Sequence, residues 1–304
     1  LYPEDGKDAA TLIAQAEQAM TFAKSEPGTS YRYNDRSTAE TTNRRVSLEA
    51  ALRRAIERKE LFLNFQPIAE LGSGRIIGTE ALVRWRHPEL GVVAPDRFIP
   101  IADETGLIIP IGEWVLREAC VQTRAWQKMG FRDLGIAVNV SAVQFAQTRL
   151  LTQVKNILSE SGLPASCLEL EITETVLMRD AEATVATLKL QKEMGVHLAM
   201  DDFGTGYSSL SYLKRFPIDA LKIDKSFTQD ILVDHDGSAI VVAITALGKS
   251  LGLKLIAEGV ETHEQREFLE KQQCDQMQGY LLSKPLAPEH VPRFLSGHAV
   301  EKVA

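Results

Sequence analysis

The sequence predicts an α/β fold, a (β/α)8 TIM-like barrel. Short apolar runs recur along the chain and lead to a carboxylate, an amide or a lysine, namely Glu80, Asn139, Glu171, Asp201, Lys222 and Glu258. Stretches with helical periodicity, such as residues 181–194 and 238–251, separate most of these runs. Strand and helix that alternate at intervals of roughly thirty residues are typical of a parallel βαβ array. In such a barrel the active site lies at the carboxyl ends of the strands, where these polar residues fall.

The first two strands of the barrel should run in opposite directions. Residues 62–68 read as the first strand, and the Leu-Gly-Ser-Gly turn at 71–74 joins it to the strand that carries Glu80. This connection is too short for a parallel crossover, so we expect a barrel with one antiparallel strand. Pro67 indicates either that the first strand ends there or that it has a free edge there.

Length and composition are sufficient for this barrel. The chain has 304 residues, of which 44% are hydrophobic, and barrels of this kind use about 250 residues. The formal net charge of -7 argues against a partner that is a DNA or RNA polymer, because phosphate backbones are held mainly by Lys and Arg.

The cysteines and the chain ends bear on location. Three widely spaced cysteines are typical of buried thiols in a reducing compartment, so we expect a cytoplasmic protein. No apolar run is long enough to cross a bilayer, and no signal peptide is visible. Because the chain begins at Leu1 rather than Met, we expect a fragment whose parent could include a membrane anchor.

The residues that precede the barrel divide into two parts. An amphipathic helix is predicted near residues 8–24, and the Ser-Glu-Pro-Gly stretch at 25–28 ends it. Ser37 and Glu40 have the spacing of a capping box, which predicts the start of a polar linker helix over residues 35–58. Its apolar positions Leu48, Leu52 and Ile56 fit a connector between domains and a helix packed on the barrel equally well.

Asp201 and Asp202 form the most informative pair of residues. Mostly apolar residues at 196–200 lead into the pair, and a Phe-Gly-Thr-Gly turn at 203–206 follows it. Adjacent strand residues point to opposite sides, so one carboxylate can point inward while the turn aims the other. Two neighbouring carboxylates repel each other unless a cation neutralises them. An isolated pair would more often be a solvated acidic turn, but the other polar strand ends favour a metal site.

Seven ordered motifs resemble those of the EAL-domain family, the phosphodiesterases of the bacterial second messenger cyclic di-GMP. They are EALVR at 80–84, NVS at 139–141, EITE at 171–174, DDFGTG at 201–206, KID at 222–224, EGVE at 258–261 and QGY at 278–280. The resemblance predicts an EAL barrel over residues 47–297. Residues 2–24 are similar to the closing segment of a GGDEF (diguanylate cyclase) domain, although the GGDEF signature is absent. We therefore expect residues 1–34 to be the C-terminal remnant of a GGDEF-like domain in a tandem GGDEF–EAL parent.

The resemblance implies a site for two divalent cations, Mg2+ or Mn2+. Glu80, Asn139, Glu171 and Asp201 would hold one ion, and Asp201, Asp202 and Glu258 would hold the other. The expected catalytic residues are Glu80, Lys222 and Glu258. Lys222 would hydrogen-bond the attacking water, either as its general base or as a group that positions it. The role of base requires a depressed lysine pKa.

The resemblance also implies residues that contact the substrate and orient the loops. Arg84 would grip a phosphate with its forked guanidinium, and a salt bridge at the rim is the alternative. Leu82, Gln66 and Gln278 would face the ligand, although either glutamine could instead be a buried amide that bonds the backbone. The residues expected to support the loops are Glu174, Glu261, Gly204 and Thr205. In the family the loop at 205–209 links the metal site to a dimer interface, which predicts a homodimer.

The sequence therefore predicts a metal-dependent phosphodiesterase that opens cyclic di-GMP to linear pGpG. One alternative is a receptor that binds the cyclic dinucleotide without hydrolysing it, and a second is a barrel hydrolase for another phosphodiester. A third is an intact domain that stays nearly silent until its missing partner domains activate it. The presence of every expected ligand favours catalysis.

Overall fold

Eight strands close into a barrel in the computed structural model, which describes residues 8–13, 16–17, 20, 36–179, 181–204, 210–231 and 235–300. Around the ring they are β1 (Leu61–Glu70), β2 (Ile76–His87), β4 (Gly135–Asn139), β5 (Leu168–Thr173), β6 (His197–Phe203), β7 (Ala220–Ile223), β8 (Lys254–Ala257) and β9 (Gln276–Met277). The short strand β3 (Gly91–Val93) pairs with the far end of β2, outside the ring. The predicted barrel is confirmed.

Strand β1 is the reversed strand. It pairs antiparallel with both β2 and β9, while the other neighbours in the ring are parallel. The prediction of one antiparallel strand is therefore confirmed. The strand does not end at Pro67, so that alternative is wrong. Pro67 pairs with Thr79 on one side, and on the other side the pairing with β9 begins only at Ala69. The missing N–H of the proline is tolerated for that reason.

Helices cover the outside of the barrel. They are α1 (Arg36–Ala55), α2 (Pro95–Thr105), α3 (Ile108–Lys128), α4 (Ala142–Phe145), α5 (Leu150–Ser161), α6 (Glu174–Arg179), α7 (Ala181–Glu193), α8 (Leu210–Leu213), α9 (Lys225–Asp230), α10 (His235–Ser250), α11 (His263–Lys271) and α12 (Val291–Val300), with a 3-10 turn at Ala165–Cys167. Across the described ranges, none of them combines the length and the apolar character that a bilayer span requires.

The segment before the barrel differs in part from the prediction. In the helix predicted near 8–24, residues 9–13, 16–17 and 20 are helical. Helix α1 is already formed at Arg36 and ends at Ala55, so Ser37 lies inside it and the predicted cap is wrong. Spacing alone cannot separate a capping box from an i,i+3 pair within a helix.

Leu48 and Leu52 are buried in the barrel's core, which favours a packed helix. The GGDEF-like remnant and the domain boundaries stay predictions, and most of residues 1–35 lies outside the described part.

A small apolar layer inside the barrel supports the polar strand ends. Ala199, Ala220 and Ile256 form a buried cluster of their own, apart from the main core between strands and helices. Each lies two residues before Asp201, Lys222 or Glu258, and residues two apart on a strand face the same side. The charged groups at these three positions are therefore directed into the barrel, directly above the apolar layer.

The cysteines are free thiols. Cys120 and Cys274 are buried, as expected, whereas Cys167 is only partly buried, so that part of the prediction is wrong. Cys167 ends the turn before β5, at the end of the barrel opposite the polar strand ends. Side chains at such a rim are only partly covered.

Candidate active site

Lys222 lies at the centre of a cluster of carboxylates inside the barrel. Its side chain is fully buried, and its Nζ lies 2.6 Å from Glu258 Oε1 and 2.8 Å from Glu171 Oε1. Asp201 Oδ1 and Glu80 Oε2 follow at 3.5 and 3.8 Å. These residues come from five strands or strand ends, β2, β5, β6, β7 and the residue after β8. The barrel thus brings together residues that are up to 178 positions apart, as predicted from their recurrence at strand ends.

The cluster carries more negative than positive charge. Four carboxylates and one ammonium sum to a formal charge of -3. Burial raises the pKa of Glu171 well above its usual value, and the attraction of Lys222 offsets this only in part. Burial likewise raises the pKa of Glu258 to about 7. Burial alone would lower the pKa of Lys222, but Asp201, Glu171, Glu258 and Glu80 together raise it well above its ordinary value. A buried excess of negative charge is unfavourable unless further cations neutralise it.

The donor atoms of this cluster fit hard divalent cations. Both carboxylate oxygens of Glu171 and Oε1 of Gln278 are buried without a hydrogen-bond partner in the described part of the chain. Glu171 Oε1 is close to Lys222 Nζ, but the angles are not those of a hydrogen bond. Oxygen ligands of this kind are the ones that Mg2+ and Mn2+ prefer. Within the described residues no three acidic, His or Cys side chains are arranged as a complete metal site, and the ammonium of Lys222 lies among the carboxylates.

A chain of amides holds Glu80 in place. Asn139 Nδ2 donates to Glu80 Oε1 at 2.6 Å, and Gln278 Nε2 donates to Glu80 Oε2 at 2.5 Å. Gln278 Nε2 also donates to Gln66 Oε1 at 3.2 Å, and Gln66 Nε2 donates to the Ser283 carbonyl at 3.4 Å. Both glutamines are buried. These hydrogen bonds orient Glu80, while Gln278 Oε1 accepts none from the described residues. The expected contact of both glutamines with a ligand stays a prediction.

Asp202 adopts an unusual backbone conformation beside the cluster. Its φ is 56°, in the left-handed region that Asp visits more readily than most residues, and its N–H donates to Asp201 Oδ1 at 2.9 Å. Burial, the Asp201 carboxylate and then Asp224 raise the pKa of Asp202. Asp224 has no predicted role of its own, and it caps α9 by accepting a hydrogen bond from Ser226 N at 3.0 Å. An Asp immediately before a helix is a capping signal that could have identified it.

Arg84 and Leu82 lie beside the cluster on the extension of β2. They line a cavity of about 340 Å³ between β2, α2 and α3, together with Asn139 and the buried or partly buried apolar residues of α3. Arg84 is partly buried and its Nη1 donates to the Val83 carbonyl at 2.9 Å. The described residues give Arg84 no carboxylate partner within salt-bridge distance, so its guanidinium can serve another anion.

The predicted loop residues fall into three groups. Glu174 is buried, and its Oε2 accepts the backbone N–H of Gly204 at 3.0 Å, which ties β5 to the start of the loop after β6. Thr205 lies outside the described residues. Glu261 has an exposed side chain, and its backbone N–H donates to Gln265 Oε1 at 2.7 Å at the start of α11.

A second cavity, of about 310 Å³ and with a more polar lining than the first, lies at the opposite mouth of the barrel. Its lining includes Asp219, whose oxygens pair with Lys192 Nζ at 2.7 and 2.8 Å and accept the N–H of Leu198 at 2.8 Å. Asp219 thus joins strands and helix at the amino-terminal rim, where barrels of this kind carry stability rather than chemistry. The cluster around Lys222 lies at the other end of the barrel, toward the carboxyl ends of the strands.

The fold and this cluster define a barrel with an acidic site at the carboxyl ends of its strands, and comparison with known proteins identifies its family. The model of the EAL domain matches residues 49–285. The chain is 46% identical over 291 residues to the "Bifunctional diguanylate cyclase/cyclic di-GMP phosphodiesterase MucR" of Pseudomonas aeruginosa, covering 96% of this chain and 42% of that protein. It is 41% identical over 298 residues to the "Cyclic di-GMP phosphodiesterase NbdA" of the same organism, covering 98% of this chain and 38% of that protein.

A solved structure described as "PaMucR Phosphodiesterase, c-di-GMP complex" has a TM-score of 0.79 and 50% sequence identity, and the match covers 81% of this chain and 99% of that one. The chain belongs to the EAL-domain family. It spans less than half the length of the two curated relatives.

Proposed function

We propose that this domain hydrolyses one phosphodiester bond of cyclic di-GMP and releases linear pGpG. The observation that carries the proposal is the cluster of Glu80, Glu171, Asp201 and Glu258 around a buried lysine, with its excess negative charge and with Glu171 oxygens that accept no hydrogen bond from the described residues. Membership in the EAL-domain family and the activities for which MucR and NbdA are named support this substrate.

When bound, two divalent cations, Mg2+ or Mn2+, would neutralise the charge of the phosphate and lower the pKa of a water molecule. Glu80, Asn139, Glu171 and Asp201 would hold one of them, and Asp201, Asp202 and Glu258 the other. Asn139 and Gln278 donate hydrogen bonds to the two oxygens of Glu80, which keeps this carboxylate oriented.

Arg84 is the residue expected to bind the substrate during this reaction. Arg84 would bind a phosphate oxygen of the cyclic dinucleotide, since its guanidinium has no carboxylate partner within salt-bridge distance in the described part of the chain. The oxygen of a water attacks phosphorus as the water loses a proton, the bond from phosphorus to the 3′ oxygen breaks, and the leaving 3′ oxygen takes up a proton to become a hydroxyl. Exclusion of bulk water by the buried walls strengthens each of these electrostatic contacts.

Lys222 has two possible roles in this reaction. As a positioner it would donate a hydrogen bond to the attacking water and balance the charge of its four carboxylates. As a general base it would have to lose its proton, which requires bound cations to reverse the carboxylates' upward effect on its pKa. Retention of most turnover by Lys222→Ala would exclude the role of base.

The remaining sequence predictions about partners and location are part of the same proposal. A homodimer, an upstream GGDEF domain in the parent protein and a cytoplasmic site of action are expected. Three free cysteines support a reducing compartment. Light scattering at micromolar concentration tests the dimer, and a purely monomeric chain would contradict it.

The test is hydrolysis of cyclic di-GMP in Mg2+ and in Mn2+, followed by chromatography of pGpG. Glu80→Gln removes one cluster charge at nearly constant volume and should abolish product, while the matched surface change Glu113→Gln should keep it. Tight binding of cyclic di-GMP without product would instead favour a receptor. Equal turnover of unrelated phosphodiesters would favour a broader hydrolase.

A further inference from the structure

Tyr280 is an exposed aromatic ring at the mouth of the candidate active site. It keeps 56% of its surface exposed, and in the described part of the chain it is the only aromatic residue among the large exposed apolar side chains. It follows Gln278, which donates to Glu80, by two residues. The face of an exposed aromatic ring can stack on another planar group.

The backbone that carries Tyr280 is held rigidly. A Cβ on Gly279 would lie 2.1 Å from the Val260 carbonyl oxygen and 2.3 Å from Val260 N, so the two segments are in direct backbone contact. Val260 N donates to the Gln278 carbonyl at 3.1 Å, and Leu281 N donates to the Val260 carbonyl at 3.0 Å. Val260 lies two residues after Glu258. The backbone from which the ring projects is therefore fixed relative to the segment that follows Glu258.

Two cationic groups lie next to the ring. Lys284 Nζ is 5.5 Å from the ring centroid, within the range of a cation–π contact. Burial lowers the pKa of Arg84, and the nearby phenol of Tyr280, followed by Glu80, acts in the opposite direction. The ring thus contacts a lysine and lies near the arginine expected to bind phosphate.

We propose that the ring of Tyr280 is a stacking platform for a purine base of the substrate, and that Lys284 is a positioning residue that holds the ring. A base on the free part of the ring would be attached to a ribose whose phosphate reaches Arg84. The platform rests on the proposed function, because it contributes specificity for a nucleotide phosphodiester. The carboxylate cluster acts on any phosphodiester, whereas a stacked purine distinguishes a dinucleotide from a small ester.

The role depends on the aromatic face rather than on the hydroxyl. Tyr280→Phe should therefore keep affinity, while Tyr280→Ala should lose it. Loss of one base–aromatic stack corresponds to an increase in Kd or KM of about 5- to 150-fold. Lys284→Met should raise KM by less, and Lys284→Arg should restore it, because guanidinium also forms cation–π contacts.

The experiment compares the two Tyr280 variants, the two Lys284 variants and the control Met129→Ala, which removes a side chain that is 65% exposed at the end of α3. Three quantities are measured in Mg2+ or Mn2+. They are kcat and KM for cyclic di-GMP, the Kd of a slowly hydrolysed phosphorothioate analogue of cyclic di-GMP by calorimetry, and turnover of methyl p-nitrophenyl phosphate, which has no base.

The expected result is that Tyr280→Ala raises KM and Kd at least fivefold, with kcat and methyl p-nitrophenyl phosphate turnover within about twofold of wild type. A Tyr280→Ala variant with unchanged KM and Kd overturns the platform, and so does a fall in kcat for both substrates. A wild-type chain that binds the analogue but releases no pGpG refutes only the proposed hydrolysis, and the Kd values then decide about Tyr280. Failure of the wild type to bind refutes both.

Discussion

Replacement of Lys222 by Met would test whether the carboxylate cluster needs its internal cation. The substitution keeps the volume and removes the charge from a fully buried position. At 2.6 Å, two unit charges attract by about 6 kcal/mol at an effective dielectric constant of about 20. Much of that attraction offsets the burial of the charges, and loss of one member of a buried pair typically costs about 3–5 kcal/mol. For a domain of this size this corresponds to a fall in Tm of about 6–20 °C.

The assay is thermal and urea unfolding followed by circular dichroism in EDTA at pH 8. Lys192→Met is the matched control, because Lys192 pairs with Asp219 at 2.7 Å but remains partly exposed and should cost at most about 1 kcal/mol. A metal-free Lys222→Met chain as stable as wild type would refute the reasoning. Addition of Mg2+ or Mn2+ should then stabilise the variant more than the wild type, since bound cations would replace the lost charge.

Three further predictions follow from the described contacts. Gly279→Ala places a Cβ 2.1 Å from the Val260 carbonyl oxygen and should lower the free energy of unfolding by about 1–3 kcal/mol. The control Gly72→Ala, whose Cβ meets open space, should leave the free energy of unfolding unchanged. Equal urea midpoints for the two variants would contradict the prediction. In metal-free protein the folded-state pKa of Glu258, about 7, exceeds the ordinary value of 4.5, so stability should fall by about 3 kcal/mol as pH rises from about 4.5 to about 7. A Glu258→Gln variant with the same pH slope in urea unfolding would be inconsistent with that origin. Only Cys167 should react with an aromatic disulfide at pH 8 in the folded chain, because burial raises the pKa of the other two thiols to about 12. Rapid release of three equivalents of the aromatic thiol would contradict this prediction.

Strand order and the polar strand ends were accessible from the sequence because both depend on local patterns. An apolar run of four to seven residues that ends on a polar group specifies a strand and its exit, and a four-residue turn specifies antiparallel pairing. Lys222, Asp201 and Glu171 meet because parallel strands align their carboxyl ends. The prediction therefore needed no knowledge of distances.

The contacts that sequence could not give are those between distant segments. Gln66 and Gln278 are separated by 212 positions, and no pattern in either segment indicates that one amide accepts from the other. Glu80 lies in the middle of β2 rather than at its end, because β2 continues along β3 outside the ring. The upward shift in the pKa of Lys222 depends on the sum of four neighbouring charges and on burial, which only coordinates supply.

The pairing of β1 with β9 has a consequence for how the chain reaches its folded state. The first and last strands of the ring close it, so the barrel remains an open sheet until residues 276–277 are in place. Until then β1 and β8 each expose an unpaired edge, and such edges promote association between chains. Pairing two strands that are so far apart in the sequence also costs loop-closure entropy, which slows folding. Chains shortened before residue 276 should therefore accumulate as aggregates rather than as smaller folded domains, even though the whole acidic cluster lies upstream of that point.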